Sequence, residues 1–185
     1  MKPIAVIFPG AGYTKDRPLL YYAGKLAIAA GYELIHVDFS GFKWSKEQLK
    51  DPDFLMDMLS LCMNRTDEAL RGISLQETDS ILFISKSIGT VAATAYAKQY
   101  SLPARQLLFT PLADIGRYVK DGNGLVFYGN ADPFADPDEI AKFCETHRLK
   151  AHCIEHANHS LETGRVTEDL ANLQSIMRQV EEYLC

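Results

Sequence analysis

The sequence contains no long apolar run. None of its apolar stretches approaches the roughly 20 residues that a helix needs to cross a bilayer, which argues against a membrane-spanning protein. The stretch at residues 4–8 follows a single lysine, but Pro9 and Gly10 interrupt it and no cleavage site of small residues comes after. We therefore interpret this stretch as a β-strand rather than a signal peptide, and we expect a cytoplasmic protein with no membrane partner.

Cysteine is also sparse, and its four positions include no C-x-x-C pair. A chain of 185 residues does not need disulfides to stabilise its core. We therefore expect free thiols, which suit a reducing compartment. The histidines and cysteines also lack the spacing of a zinc site, so we predict no metal and no cofactor.

Clustered positive charge, which nucleic-acid binding requires, is missing as well. The formal net charge is −5, and the lysines and arginines are scattered along the chain. Because a phosphate backbone is bound by a concentrated positive surface, we do not expect nucleic acid as a partner. With 47% hydrophobic and 23% charged residues, the composition is that of an ordinary globular protein.

What is present is a regular alternation of short apolar runs and longer helix-like runs. No linker, internal repeat or low-complexity segment divides the chain, which favours a single domain over residues 1–185. Strands are predicted at residues 4–8, 33–39, 80–85, 106–110, 125–128 and 150–154. Helices are predicted between them, at residues 18–30, 53–72, 88–100, 136–147 and 166–184.

This alternation indicates an α/β fold. Several strands are unbroken apolar runs, as expected for parallel strands that are covered on both faces. We predict a three-layer sandwich in which helices lie on both faces of a mostly parallel sheet of about six strands. The carboxyl ends of such strands share one edge of the sheet, and ligands bind at that edge.

Four of the predicted strands are followed by residues suited to chemistry. A Gly-Ala-Gly turn at residues 10–12 follows the first strand, and Ser87 stands in a tight turn between the third strand and an alanine-rich helix. Asp132 follows the fifth strand and His159 the sixth. Serine, aspartate and histidine therefore occur in that order, each where the fold brings it to the same edge.

The chain order and these strand contexts resemble the α/β-hydrolase fold over nearly the whole chain. That family places its nucleophile in a G-x-S-x-G elbow between a strand and a helix. Here the elbow reads Ser85-Lys86-Ser87-Ile88-Gly89, with serine in place of the first glycine. The sequence is most similar to small members without a lid, such as dienelactone-hydrolase-like and uncharacterised bacterial proteins. The resemblance implies a minimal hydrolase fold without a cap domain and hydrolysis of an ester or related acyl compound, as by a carboxylesterase or thioesterase.

The chemistry explains the residue types. A serine hydroxyl is a poor nucleophile near neutral pH and needs an adjacent base. We expect Ser87 to be the nucleophile, His159 the base that accepts its proton, and Asp132 the acid that orients the imidazole. Such a site acts on a small-molecule substrate through an acyl-enzyme.

The transition state of acyl transfer also needs backbone N–H donors for its oxyanion. We expect the first donor to be Ile88, at the start of the helix that follows the nucleophile. The second is expected in the turn after the first strand, at Ala11 or Gly12, because glycine there lets the backbone approach a substrate closely.

Other residues compete for the roles of base and acid. His156 lies three positions before His159 and is an alternative base, although it is closer to the strand. Asp114, after the fourth strand, is an alternative acid. Asp136 and Asp138 are further candidates, but they fit the start of the next helix better.

Four more polar residues have an ordinary structural interpretation. We expect Lys86 to be a solvated lysine, with steering of an anionic substrate as the alternative. Glu162 is expected to cap or solvate the start of a helix. His36 and His152 lie inside strand patterns and are interpreted as structural.

Two other functional classes stay open. The glycines at positions 10 and 12, with Asp38 ending the second strand, match part of a dinucleotide-binding fingerprint. However, Lys15 occupies the third glycine position, and the next helix is predicted to start only near residue 18, whereas a pyrophosphate needs the helix N-terminus at the glycines. The serine at position 85 keeps open a hydrolase-fold binding module without catalysis.

Loop lengths bear on the size of the substrate. Lids in this fold are commonly inserted after the strand that follows the elbow helix, but residues 111–124 have room for only one small helix. Residues 40–52, which include Phe42 and Trp44, are the one other segment expected to overhang the site. We therefore predict a shallow, open cleft that favours short, soluble acyl esters.

Overall fold

A computed structural model describes residues 2–42, 48 and 51–185 of the chain. The strands in this part are β1 (Ile4–Phe8), β2 (Glu33–His36), β3 (Ile81–Lys86), β4 (Arg105–Phe109), β5 (Gly124–Gly129) and β6 (Lys150–Ile154). The α-helices are α1 (Pro18–Ala29), α2 (Pro52–Ala69), α3 (Ile88–Gln99), α4 (Pro137–Thr146) and α5 (Val166–Leu184). Within the described residues, no helix combines the length and the apolar character that crossing a bilayer requires.

The strands form one sheet in the order β2-β1-β3-β4-β5-β6, and every neighbouring pair is parallel. Their carboxyl ends are in line. Phe8 at the end of β1 pairs with Ser85 near the end of β3, and Gly129 at the end of β5 pairs with Ile154 at the end of β6. The predicted α/β sandwich around a parallel sheet of six strands is confirmed, and the segments after these strands all leave from one edge.

Helices cover both faces of the sheet and bury two apolar clusters against it. Side chains of α2, α3 and α4 pack with Phe8 and Phe83 on one face, where the two rings lie 4.9 Å apart. Side chains of α1 and α5 pack with Phe109 and Phe127 on the other face, where the rings stack at 5.6 Å. Because both faces are buried, the central strands are largely apolar, and β1 is apolar throughout.

The helix ends follow the local sequence. Gly31, just past α1, has a φ of 90°, and its N–H donates to the carbonyl of Ile28, as in a glycine-terminated helix. At the start of α4, the side chain of Asp136 accepts the N–H of Asp138, two residues further on. The end of α1 and the start of α4 each lie within one residue of the bounds predicted from the sequence.

Strand β2 is shorter than predicted. It ends at His36 rather than at residue 39, although the N–H of Val37 still donates to the carbonyl of Ile7. Beyond that point the carboxylate of Asp38 accepts both the N–H and the hydroxyl of Ser40. These local hydrogen bonds form a turn that carries the chain away from the sheet.

The start of α2 also differs by one residue. The side chain of Asp51 accepts the N–H of Asp53 and Pro52 occupies the first helical position, so the helix begins at Pro52 rather than at residue 53. The predicted overhang over residues 40–52 lies largely outside the described residues, and Trp44 is not among them.

Candidate active site

Ser87 stands between β3 and α3 in a backbone conformation that few residues adopt. Its φ is 55° and its ψ is −124°. Its N–H donates to the carbonyl of Phe109 at 3.0 Å, and its own carbonyl accepts the hydroxyl of Thr90 at 2.6 Å. These bonds hold the strained turn between a buried strand and a buried helix.

The elbow packs tightly against the end of β1. A Cβ atom on Gly89 would lie 2.4 Å from the carbonyl oxygens of Phe8 and Pro9, so only glycine fits there. Serine at position 85 is accommodated differently, because its buried hydroxyl donates to the carbonyl of Leu107 at 3.1 Å. The departure from the family pattern therefore leaves no unpaired hydroxyl in the elbow.

Ser87, His159 and Asp132 are joined by two short hydrogen bonds. His159 Nε2 lies 2.8 Å from Ser87 Oγ, and His159 Nδ1 lies 2.6 Å from Asp132 Oδ2. The side chain of Asp132 is only 2% exposed and that of His159 18% exposed. The structure thus brings together the three side chains that the sequence nominated, in the geometry of a nucleophile, a base and an orienting acid.

The loops that carry the aspartate and the imidazole are tied to one another. Gly129 lies so close to the loop after β6 that a Cβ atom on it would come 2.1 Å from the carbonyl oxygen of Ala157. That carbonyl accepts the N–H of Ala131, and the side-chain oxygen of Asn130 accepts the N–H of His156. The spacing between the two loops is consequently set by backbone contacts.

Burial controls the protonation of the imidazole. It lowers the pKa of His159, while the hydrogen bond to Asp132 opposes this effect and the nearby charge of Lys86 adds to it. The net result is a pKa below the ordinary value of a histidine. A neutral imidazole is the form that accepts a proton, so the environment favours the basic form at neutral pH.

Lys86 was missed by sequence reasoning. The expectation of a solvated lysine is wrong, because the residue is 1% exposed. Its Nζ donates to Thr110 Oγ1 at 2.5 Å and to the backbone carbonyl of His159 at 2.6 Å. Steering of an anionic substrate, the alternative, is not tested by these contacts and stays a prediction. The signal in the sequence was only its place beside the nucleophile, within an apolar strand.

The glycine-rich turn after β1 lies directly against the nucleophile. Gly10 and Tyr13 exchange two backbone hydrogen bonds, of 3.1 and 3.3 Å, which leave Ala11 and Gly12 at the tip. A Cβ atom on Gly10 would be 3.3 Å from the Cβ of Ser87. Gly12 has a φ of 66°, the conformation that glycine adopts without strain. The predicted second source of oxyanion donors is thus adjacent to the serine.

The other predicted oxyanion donor is the N–H of Ile88, the first residue of α3. The first N–H groups of a helix have no carbonyl acceptor within the helix. They also lie at the positive end of the helix dipole. This N–H is therefore suited to an anion that forms beside Ser87.

A cavity of about 530 Å³ adjoins the glycine turn after β1. Phe39 and Phe42 form part of its wall and stack with ring centroids 5.5 Å apart. Polar side chains also line it, including those of Lys15, Asp38 and His36. The cavity is mixed in character and large enough for a small organic molecule.

The rival candidates lie elsewhere. His156 is exposed, with a φ of 58°. Asp114 lies 3.8 Å from Arg117 in a short 3-10 helix, and Asp136 caps α4. The hydrogen bonds at the imidazole thus involve none of these three candidates.

The glycine turn lacks the adjoining helix N-terminus that a dinucleotide site needs. α1 begins at Pro18 rather than at Gly12, so the helix N-terminus is not at the glycines as a pyrophosphate site requires. Within residues 2–42, 48 and 51–185, no three His, Cys, Asp or Glu side chains converge as metal ligands would.

A family model described as an alpha/beta hydrolase domain matches residues 2–184. No curated protein matches the chain.

Solved structures of similar fold span nearly the whole chain. Est1E of Butyrivibrio proteoclasticus, with ferulic acid bound, is 14% identical with a TM-score of 0.67, over 98% of this chain and 88% of that one. An esterase of Pyrococcus furiosus is 12% identical with a TM-score of 0.66, over 98% and 82%. An α/β serine hydrolase without a lid, from Xanthomonas campestris, is 16% identical with a TM-score of 0.59, over 96% and 82%. At these identities the likeness establishes the fold.

Proposed function

The chain belongs to the α/β-hydrolase family, and we propose that it is a serine hydrolase that cleaves small, soluble esters or related acyl compounds through an acyl-enzyme. The observation that carries this proposal is the pair of short hydrogen bonds that join His159 to Ser87 and to Asp132. The esterase from P. furiosus and the ferulic acid complex of Est1E support an ester as the substrate class.

The first half-reaction forms the acyl-enzyme. The hydroxyl of Ser87 attacks the acyl carbon while His159 Nε2 accepts its proton. The carbonyl oxygen becomes an oxyanion, to which the N–H of Ile88 and an N–H at the tip of the glycine turn (Ala11 or Gly12) donate. His159 then gives its proton to the leaving oxygen, the bond from the acyl carbon to that oxygen breaks, and the alcohol departs.

The second half-reaction releases the acid. His159 takes a proton from water, and the water oxygen attacks the acyl carbon bound to Ser87. The proton returns to the serine oxygen as its bond to the acyl carbon breaks. Throughout, Asp132 keeps the proton on His159 Nδ1 and stabilises the imidazolium that forms in each half.

The acyl and leaving groups are proposed to be small. The segment after β4, residues 111–123, contains one short 3-10 helix (Ala113–Arg117) and no lid. Thioesters and activated amides fall within the same chemistry, since the triad does not choose among acyl compounds.

The four cysteines are free thiols, so the cytoplasm, where thiols stay reduced, is the proposed working compartment.

A fluorophosphonate probe tests the proposal, with the modified residue mapped by mass spectrometry. We expect the label on Ser87, and we expect Ser87→Ala to lose both labelling and ester hydrolysis without a lower melting temperature. Ser85→Ala is the matched control: it removes a hydroxyl two residues away that bonds to Leu107, so Ser87 should still be labelled. A label on another serine, or none on folded protein, would contradict the proposal. A folded protein that binds acyl compounds without turnover would instead be a binding module.

A further inference from the structure

Lys86 links three parts of the site from within the core. It lies between Ser85 and Ser87 in the elbow and is 1% exposed, whereas lysines are rarely buried without partners. Its Nζ donates to Thr110 Oγ1, just after β4, and to the backbone carbonyl of His159, in the loop after β6. One ammonium group thus connects the strand before the nucleophile to the loop that carries the base.

The same side chain also contacts the glycine turn. Its Nζ lies 5.0 Å from the centre of the Tyr13 ring, in a cation–π arrangement. Its stem passes close to Gly10, where an added Cβ atom would come 3.3 Å from Lys86 Cγ. The carboxylates of Asp132 and Glu162 lie near enough to favour its charged form. Groups from the β1, β5 and β6 loops therefore surround it.

Protonation of Lys86 affects the imidazole. Burial lowers the pKa of Lys86 to about 7, against the opposing effect of Asp132 and Glu162. Its positive charge in turn lowers the pKa of His159. In either protonation state the nitrogen keeps at least two N–H groups, enough for both of its acceptors.

We propose that Lys86 is a positioning residue, whose hydrogen bonds to Thr110 and to the carbonyl of His159 hold the imidazole at the distance from Ser87 that proton transfer requires. This inference rests on the proposed function, because it assigns Lys86 a part in that reaction. The physical reason is the steep dependence of such transfers on geometry, since displacement of a reacting group by about 1 Å costs on the order of 100-fold in rate.

Lys86→Met tests this role, because methionine keeps most of the apolar stem and removes the ammonium. We expect kcat for a short p-nitrophenyl ester, and the rate of phosphonylation of Ser87, to fall about 10-fold to 100-fold with little change in KM. The acid limb of the pH–rate profile should also move to higher pH, because the charge that lowers the pKa of His159 is gone.

Lys98→Met is the matched control. Lys98 also donates to a backbone carbonyl, that of Arg117 at 2.7 Å, and also lies over a ring, that of Tyr118 at 5.7 Å. It is exposed and lies at the end of α3 away from the elbow. We expect this variant to keep the wild-type kcat and pH profile.

A second pair of variants approaches the same contact from its acceptor. Thr110→Val removes the hydroxyl at nearly constant shape, and Thr110→Ser retains it. We expect Thr110→Val to lower kcat, by less than Lys86→Met does because the bond to His159 remains, and Thr110→Ser to stay near wild type. This pair carries the test if Lys86→Met does not fold.

The outcomes separate this inference from the proposed function. If the wild-type protein reacts with the phosphonate and folded Lys86→Met matches it in kcat and pH profile, the positioning role is overturned while the serine hydrolase stands. Wild-type turnover in folded Thr110→Val would overturn it in the same way. If folded wild-type protein does not react with the phosphonate, both the serine hydrolase and the positioning role are overturned.

Discussion

The ring of Phe134 packs against the imidazole of His159, with their centroids 4.8 Å apart and their planes at 50°. The backbone N–H of Phe134 donates to Asp132 Oδ1 at 2.8 Å. One residue therefore contacts both the predicted base and the predicted acid. Although Phe134 is itself 41% exposed, its ring shields one side of the imidazole from water.

This contact leads to a prediction about pH dependence. Because burial lowers the pKa of His159 and the base must be neutral, kcat/KM of the wild type should rise with pH through an inflection below about 6.5 and then level off. Phe134→Ala exposes the imidazole, so its pKa should rise toward the ordinary value and the acid limb should move to higher pH. The measurement is kcat/KM for p-nitrophenyl acetate across the acid range.

Phe143→Ala supplies the control for that experiment. Phe143, on α4, makes a similar contact with a different histidine, His147, and their ring centroids lie 4.8 Å apart. Its loss should lower stability, because Phe143 packs against the core, but should leave the acid limb in place. An acid limb that is the same in Phe134→Ala and the wild type would show that the ring does not control the pKa of His159.

Substitutions of His159 and Asp132 should distinguish these residues from the rival base and the rival acid. His159→Ala should lower kcat/KM by roughly 10³-fold or more, and Asp132→Asn should lower it by about 10⁴-fold, because the amide favours the wrong imidazole tautomer. His156→Ala and Asp114→Asn, which remove the rival base and acid, should each have little effect. The assignment of the acid fails if Asp114→Asn is more damaging than Asp132→Asn. The assignment of the base fails if His156→Ala is more damaging than His159→Ala.

Gly89→Ala should be poorly tolerated. The added methyl group would meet the carbonyl oxygens of Phe8 and Pro9 at 2.4 Å, and backbone atoms cannot rotate away as side chains do. We expect a loss of about 1–3 kcal/mol or more in the free energy of unfolding, measured by denaturant titration, together with reduced turnover.

Gly116→Ala is the comparison for this effect. Its added methyl group would lie 3.4 Å from the ring of Phe143, an ordinary contact with a side chain. We expect little change in either stability or turnover. Equal stability of the two variants would mean that the approach of β1 to the elbow is looser than the structure has it.

Acyl chain length should reveal the shape of the cleft. A p-nitrophenyl ester series from acetate to palmitate should give the highest kcat/KM at short chains and a fall beyond about six to eight carbons, as further methylenes find no pocket. Rates should not jump above the micelle concentration of the substrate. A maximum at long chains would reveal a buried acyl tunnel and would refute the open cleft.

The fold could be predicted largely because its determinants are local. Unbroken apolar strands between helices indicate a parallel sheet, and the sheet brings the ends of β3, β5 and β6 to one edge whatever the loops between them do. Ser87, Asp132 and His159 follow those strands, so they could be nominated from their order and their strand contexts.

The burial of Lys86 could not be predicted, because its partners are distant in sequence. Thr110 and His159 lie 24 and 73 positions further along the chain, and a lysine is by composition a surface residue. The end of β2 was predicted wrongly because of a contact that is close in sequence. There, the side chain of Asp38 competes with the sheet for the N–H of Ser40, and hydropathy does not record such competition.

The backbone at Ser87, with φ at 55°, has a thermodynamic cost that the rest of the molecule must offset. Glycine would adopt the same conformation without a steric penalty, so Ser87→Gly should melt at a higher temperature than the wild type and be inert. Heat resistance and turnover thus oppose each other at this one position. Laboratory evolution that selects only for thermal resistance would favour a sequence with no nucleophile, and such a campaign needs a screen for turnover in every round.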